Sequence, residues 1–298
     1  MPERLNAATA LSSVSEADLR KMARVAHLLD IEQPAFGSGQ RPHRTHSGQG
    51  AEFLEFRSYR PGEDLRRLDW RVSTRRGRPH VRTYHDELSA DWQLCLDRSA
   101  SMGTPDGSKW TLAVQLAAAF AYMLLHVGNR VGLVQFSNRV NDLCPLGRGR
   151  LQYVRIADQL RDSEAESYGG GSVLSATTTV LRPGTHLVIL SDFLQPDAMQ
   201  ADLEKLRSPG RKIHAVQILS PTETEVSEPE TRSVRDVESG EQVTVNSGAS
   251  RAALSELRRW QRKLKTFSVR NGIRLSSCSA TDRWQDVMLR HIAVGTNA

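Results

Sequence analysis

The apolar run Trp92–Leu96 ends on Asp97-Arg98-Ser99-Ala100-Ser101, and a long helix-forming segment, Lys109–Val127, follows after a short loop. A strand that ends this way delivers one carboxylate and two hydroxyls to the carboxyl edge of a sheet. The segment after it is apolar nearly all round, so it must lie buried against that sheet rather than on a surface. From Asp91 onward the chain alternates apolar runs with helical periodicity, which is the signature of a parallel sheet with helical crossovers. Strands are expected near Trp92–Asp97, Val131–Phe136, Thr185–Ser191, Ile213–Leu219 and Ile273–Ser277, with Val140–Leu143 as a short antiparallel edge strand. Helices are expected near Lys109–Val127, Leu151–Leu160, Val173–Leu181, Ala198–Leu206, Arg251–Val269 and Arg283–Ile292. The fold class is therefore α/β, a doubly wound and mostly parallel sheet.

Ahead of that region the texture differs. Residues 1–15 read as a loose polar N-terminus, and Glu16–Asp30 as an amphipathic helix with Leu19, Met22, Val25, Ala26 and Leu29 at helical spacing. Residues 34–50 are rich in Gly, Pro, His and Ser. Glu52–Tyr59 and Val81–Tyr84 read as strands, Pro61-Gly62-Glu63-Asp64 as a turn, and a short helix passes through Asp69-Trp70, with Trp70 in a small core. The expected organisation is a flexible 1–15, a small helical and β-rich subdomain at 16–88, and a large domain at 89–298. The polar connection 221–250 within the large domain is expected to hold a β-hairpin packed against the N-terminal strands.

With 298 residues, 39% apolar and 25% charged, the chain can bury a large core and is not globally disordered. The stretch Leu112–Leu125 is too short to span a bilayer, and the N-terminus has no signal pattern, so the expectation is a cytoplasmic protein, with peripheral membrane contact left open. Cys95, Cys144 and Cys278 are far apart and lie on apolar runs, which fits buried reduced thiols and gives no zinc motif. The net charge of +6 is uneven: arginines crowd 57–82, with Arg75 and Arg76 the weak candidates for a partner-docking face. Nucleic acid is disfavoured, because no recognition motif accompanies the charge.

Three segments offer small oxygen donors at one sheet edge: Asp97, Ser99 and Ser101; Ser172 after the flexible Gly169-Gly170-Gly171; and Asp192, which ends the apolar run Leu187–Leu190. Hard oxygens of this kind suit Mg²⁺. Open α/β sheets bind ligands at the carboxyl edge where strand order reverses. The alternative is that these residues only satisfy backbone groups at strand ends and helix starts.

Taken together, the three segments resemble the metal-ion-dependent adhesion site of the von Willebrand factor type A fold, with its five positions at Asp97, Ser99, Ser101, Ser172 and Asp192. The family usually has Thr where Ser172 stands. A closer resemblance covers most of the chain. Gly50-Ala51-Glu52-Phe53, Arg57-Ser58-Tyr59, Pro61-Gly62-Glu63-Asp64, Arg66, Leu68-Asp69-Trp70 and Val81-Arg82 precede the Asp-Arg-Ser-Ala-Ser-Met run, and Arg235-Asp236, Glu238, Gly240 and Glu241 follow in the long connection. This ordering resembles the bacterial domain-of-unknown-function family fifty-eight, whose members are typically encoded beside MoxR-type AAA+ ATPases; Glu63 stands where the family mostly has Asp. The resemblance implies a non-enzymatic adaptor that works with such an ATPase in chaperone-like assembly or maturation of other proteins. Coordination chemistry adds an expectation: a divalent cation, Mg²⁺ with Mn²⁺ as second fit, held mainly by neutral hydroxyls keeps much of its charge and recruits an acidic side chain of a client or of the ATPase at an open position.

Enzymatic readings find less support. Gly103-Thr104-Pro105-Asp106-Gly107-Ser108-Lys109 lacks phosphate-loop spacing, and no Gly-x-Ser-x-Gly elbow is present. A metal-dependent hydrolase would need more carboxylates; Asp197 reads as a helix cap, and His43, His46, His80 and His85 as surface histidines. A basic RNA- or lipid-binding module without metal is the binding-class rival.

Overall fold

The computed structural model describes residues 7–25, 53–59, 68–84, 89–166, 172–224, 232–235, 242–245 and 247–294. In chain order the elements are α1 (Ala7–Ser12), α2 (Glu16–Ala23), β1 (Phe53–Ser58), α3 (Trp70–Arg76), β2 (His80–Tyr84), β3 (Asp91–Asp97), α4 (Ser108–His126), β4 (Arg130–Phe136) and β5 (Val140–Gly147). Then come α5 (Gly149–Arg161), β6 (His186–Ser191), α6 (Pro196–Leu206), β7 (Ile213–Leu219), α7 (Pro221–Thr224), β8 (Arg232–Arg235), β9 (Gln242–Val245), α8 (Ser247–Arg270), β10 (Ile273–Ser279) and α9 (Trp284–Ala293). The chain divides into two compact units, Ser38–Ser89 and a larger one of Met1–Gly37 with Ala90–Ala298.

In the larger unit six strands form one sheet in the order β10-β7-β6-β3-β4-β5. All neighbours run parallel except β5, which lies antiparallel on the edge beside β4. Side-chain alternation splits the sheet residues between two cores. Trp92, Leu94, Leu96, Val131, Leu133, Val188, Leu190, Val216 and Ile218 pack with α1, α2, α4, α5 and α9. Cys95, Val134, Phe136, Leu187, Ile189, Ile213 and Ala215 pack with α6 and α8. Strands covered on both faces read as continuous apolar runs, which is why their positions were legible.

The α4 helix is buried nearly all round, as its composition predicts. At 19 residues it is long and apolar enough to cross a membrane by length and composition, a correction to the shorter estimate; 72% of that window, however, is buried inside the fold. Core truncations in it, such as Leu116→Ala, fall in the range of about 2–5 kcal/mol for buried Leu.

Several expectations need correction. Residues 7–12 are not loose: α1 sets Ala7 and Ala10 against α4. The α2 helix also joins the α4 core, through Leu19 and Met22, rather than the β-rich subdomain 16–88. The helix expected near Val173–Leu181 is present as a 3-10 helix over Leu174–Thr179. There Thr177, Thr178 and Thr179 each return a hydroxyl to the carbonyl three residues back, a spacing that matches the tighter winding. The long connection does contain an antiparallel pair, β8 with β9, as a sheet of its own. All three cysteines are buried and unpaired.

In the smaller unit β1 and β2 pair antiparallel. The Asp69 carboxylate accepts from the Val72 amide at 3.1 Å and caps α3, whose left-handed C-cap is Gly77 at φ 64°. Trp70, expected in a core, is 71% exposed, because it occupies the first helical position, directly after the cap.

Beneath α9 lies a buried histidine pair. His214 Nδ1 and His291 Nε2 are 3.0 Å apart, and Ser276 Oγ lies 2.8 Å from His291 Nδ1. Burial, joined by the charge of His291 and nearby basic groups, holds His214 well below the usual histidine range; burial, with Arg274, takes His291 down to about 3. The native state therefore refuses protons that the unfolded chain accepts below about pH 6.5, so these two groups destabilise the fold as pH falls from there. We expect a urea titration series from pH 7 to pH 4.5 to show a stability slope that His291→Gln reduces by about one proton; an unchanged slope would contradict the burial argument.

Candidate functional site

The β3 strand pairs with β4 on one side and β6 on the other, and Leu96 lies opposite Leu190. From β3 the chain runs outward through β4 to β5 at one edge and then returns past β3 to lay down β6, β7 and β10 on the other side, so strand order reverses between β3 and β6. Open α/β sheets bind ligands at such a reversal, and at its carboxyl edge Asp97 ends β3 and Asp192 directly follows β6. The third segment reaches the same edge because the Val173 amide donates to the Ser137 carbonyl, just beyond β4, at 2.8 Å.

Every candidate oxygen residue at this edge is buried: Asp97, Ser99, Ser101, Ser172 and Asp192. Asp97 Oδ1 accepts from the Ser99 amide at 2.9 Å, and Oδ2 accepts from Ser191 Oγ at 2.7 Å. Ser99 Oγ and Ser101 Oγ lie 3.1 Å apart, so their hydroxyls face one another; Ser99 precedes the 3-10 turn Ala100–Gly103 without capping it. Near the start of α4 it is Asp106 that accepts from the Ser108 amide. Backbone satisfaction thus accounts for one oxygen of Asp97 and leaves the Ser99 and Ser101 hydroxyls without that job. Ser172 Oγ is buried and makes no hydrogen bond of ordinary geometry, yet the hydroxyl lies near enough to Asp97 to favour that carboxylate's charged form. A buried hydroxyl without a hydrogen bond beside the Asp97 carboxylate is an oxygen free to serve as a ligand atom.

Electrostatics bring the two aspartates together. Burial first, and then the charge of Asp192, push the Asp97 carboxyl up to about 6, against the bonds from Ser191 and the Ser99 amide and the nearness of the Ser172 hydroxyl, which favour its charge. Two carboxylates with hydroxyls around them are a donor set of hard oxygens, the kind a small divalent cation takes. Among the described residues no group of three or more His, Cys, Asp or Glu forms an alternative metal cluster.

Three features escaped the sequence reading. Lys109, at the start of α4, is fully buried; its ammonium lies 2.9 Å from Asp192 Oδ2 and 2.6 Å from Glu223 Oε1. Burial alone would lower the Lys109 pKa, but Asp192 and Glu223 more than offset it and the net shift is upward. Ser191 stands in the sequence only as the end of an apolar strand, yet its hydroxyl holds Asp97. Phe193 takes φ 53°, a left-handed conformation unusual for a bulky residue, and it turns the chain directly after Asp192. Its amide donates to Ser191 Oγ at 3.0 Å, and its carbonyl accepts from Trp260 Nε1 at 2.7 Å. A lysine one residue after Gly107-Ser108 carried no signal in its own segment, because its partners lie 83 and 114 positions away.

The Gly169-Gly170-Gly171 loop, His43, His46 and His85 lie outside the described residues. His80, expected at the surface, is buried, with its Nδ1 2.7 Å from the Arg78 carbonyl, a local contact. Asp197 falls in the first turn of α6. Arg75 and Arg76 end α3 and are exposed.

The six-stranded order with one antiparallel edge and buried polar residues where β3 and β6 end defines a von Willebrand factor type A-like α/β domain. The family model described as "Protein of unknown function DUF58" matches residues 55–264, and the chain belongs to that family. "Uncharacterized protein Rv1480" of Mycobacterium tuberculosis (strain ATCC 25618 / H37Rv) is 31% identical over 199 residues, 65% of this chain and 62% of that protein. "Uncharacterized protein Mb1516" of Mycobacterium bovis matches to the same extent, so the chain spans about 62% of the length of these curated relatives. Among solved structures, conserved hypothetical protein BatB from Bacteroides thetaiotaomicron is 14% identical with a TM-score of 0.41, over 70% of this chain and 100% of that one. An aerotolerance-related membrane protein from Bacteroides fragilis NCTC 9343 gives 12% and 0.41 over the same shares. The fold assignment rests on strand order, not on these distant likenesses.

The raised Asp97 pKa has a signed consequence. Without a cation, the native state holds a proton on Asp97 between the ordinary carboxylate range and about pH 6 that the unfolded chain has released. This group's contribution is therefore favourable at low pH and lost as pH rises toward 6. In chelator, wild type should lose stability relative to Asp97→Asn between pH 4.5 and pH 7, by at most about 3 kcal/mol. Parallel stability curves for the two proteins would refute the charge burial.

Proposed function

We propose that this protein is a non-enzymatic interaction adaptor with a metal-ion-dependent adhesion site. In this reading Asp97, Ser99, Ser101, Ser172 and Asp192 hold a divalent cation, Mg²⁺ with Mn²⁺ as second fit. The partners are a MoxR-type AAA+ ATPase and a client protein that offers an acidic side chain, and the activity is chaperone-like assembly or maturation of complexes in the cytoplasm. The observation that carries the reading is the burial of two aspartates together at the sheet's switch point with an unsatisfied Ser172 hydroxyl beside them.

The donor set determines what the centre can do. Asp97 and Asp192 supply charge, while Ser99, Ser101 and Ser172 supply neutral oxygens that leave much of a cation's charge uncompensated. A cation held this way attracts a carboxylate oxygen at a coordination position the chain does not fill. Hydrolysis is less well supported: Glu223, the next carboxylate, is engaged by Lys109 and by the Ser220 amide at 2.8 Å, which leaves it poorly placed to activate water. The MoxR partnership rests on membership of the family and on the resemblance described above.

The test is capture of the ATPase and of client proteins by the tagged full chain, with and without chelator. Capture should be lost in EDTA, restored by Mg²⁺ or Mn²⁺, and lost in Asp97→Ala at any metal concentration. Binding that survives both treatments would overturn the reading. Binding to RNA or anionic lipid that ignores EDTA but collapses with salt would favour the basic-module rival.

The exposed end of α3 gives a second expectation. Arg75→Glu with Arg76→Glu should weaken ATPase association several-fold while the thermal midpoint stays within about 1–2 °C, since surface changes cost little. Unchanged association would remove this face from the interaction.

A further inference from the structure

Lys109 is a buried cation built into the candidate centre, and nothing in the adhesion-site pattern calls for it. Its ammonium, 2.9 Å from Asp192 and 2.6 Å from Glu223, bridges the start of α4, the end of β6 and the α7 turn after β7. Glu223 is fixed in turn by the Ser220 amide, which donates to its other oxygen at 2.8 Å. Leu194 donates its amide to Asp192 Oδ1 at 3.3 Å, and Gln217 Nε2 donates to the Asp192 carbonyl at 3.1 Å, so the position of Asp192 is fixed as well.

Charge counting gives the arrangement a purpose. Asp97, Asp192 and Glu223 contribute three negative charges, and Lys109 cancels one. A divalent cation then brings the group to neutrality. Without Lys109, the loaded group would keep one negative charge at a buried edge and would repel an incoming carboxylate. With it, the loaded centre accepts an anion without that penalty, while the cation itself is held less tightly.

We propose that Lys109, steadied by Glu223, is the charge-setting residue of the centre, trading cation affinity for the ability to take a carboxylate ligand. This rests on reading Asp97 to Asp192 as a cation site. Lys109 acts through Asp192 and Glu223, so it is a positioning residue.

The experiment uses Mn²⁺ alone as the metal probe and acetate as the carboxylate probe, on the full chain. Mn²⁺ affinity is read by calorimetry, and acetate approach by paramagnetic broadening of its methyl signal. Lys109→Met should bind Mn²⁺ about tenfold or more tightly and broaden acetate less; Glu223→Gln should bind Mn²⁺ about tenfold more weakly and keep the acetate effect. A merely structural bridge would not shift Mn²⁺ affinity in opposite directions. Should Lys109→Met fail to fold, Glu223→Gln decides alone, because Glu223 is partly exposed. Wild type that binds Mn²⁺ with variants of equal affinity, or a Lys109→Met that binds more weakly, overturns the role of Lys109 and leaves the cation site standing. No Mn²⁺ uptake by any of the three overturns the cation site and this inference with it.

Discussion

A strand covered on both faces and paired on both edges can offer polar chemistry only at its ends. The β3 strand is in that position, with β4 and β6 beside it and helices on both sides of the sheet. Its last residue, Asp97, therefore carries its carboxylate to the edge where strand order reverses, and it is buried there. The charge is tolerated there because Ser191 and the Ser99 amide each donate to it. The high pKa of Asp97 measures how incomplete that compensation is, since burial and Asp192 still outweigh both bonds. The remainder of the site follows from this one uncompensated charge.

The parts of the molecule legible in the sequence were those written in local patterns. Leu187–Leu190 and Ile213–Leu219 announce doubly covered strands, and the Ala-rich Lys109–Val127 run announces a core helix. The five oxygen residues were also readable, because each stands at the end of an apolar run or after a glycine loop. Long-range pairing was not legible. No window of sequence joins Lys109 to Glu223, and a lysine at a helix start reads as a solvated charge until the fold closes over it. Local propensity also misled where a tertiary surface was waiting. The short α1 is marginal alone and stands only because Ala7 and Ala10 meet α4. Trp70 drew attention as a core anchor by its size, yet its place next to the Asp69 cap leaves it exposed.

Ser172 in place of Thr bears on how firmly the centre is organised. A threonine hydroxyl is restricted by its neighbouring methyl, whereas a serine hydroxyl rotates among more states. Its Oγ, buried without a hydrogen bond, is the least committed donor at this edge. The other donors are already held: Ser99 and Ser101 by each other, and Asp97 by Ser191 and an amide. Among the five oxygen residues this one side chain is therefore the least constrained.

The two helical layers both reach into the same edge. From one face α4 sends Lys109 to Asp192; from the other, the Trp260 indole on α8 holds the carbonyl of Phe193, one residue further on. Between these holds Phe193 adopts its left-handed backbone, a conformation that a bulky side chain keeps only where its surroundings over-determine it. Its ring is fully buried among the α6 and α8 side chains, which supplies that constraint. Asp192 is thereby tied to both cores at once, and a partner that pulled on this loop would load α4 and α8 together. Asp192 held from both sides and a Ser172 hydroxyl with no hydrogen bond give the sheet edge one fixed charge and one uncommitted oxygen.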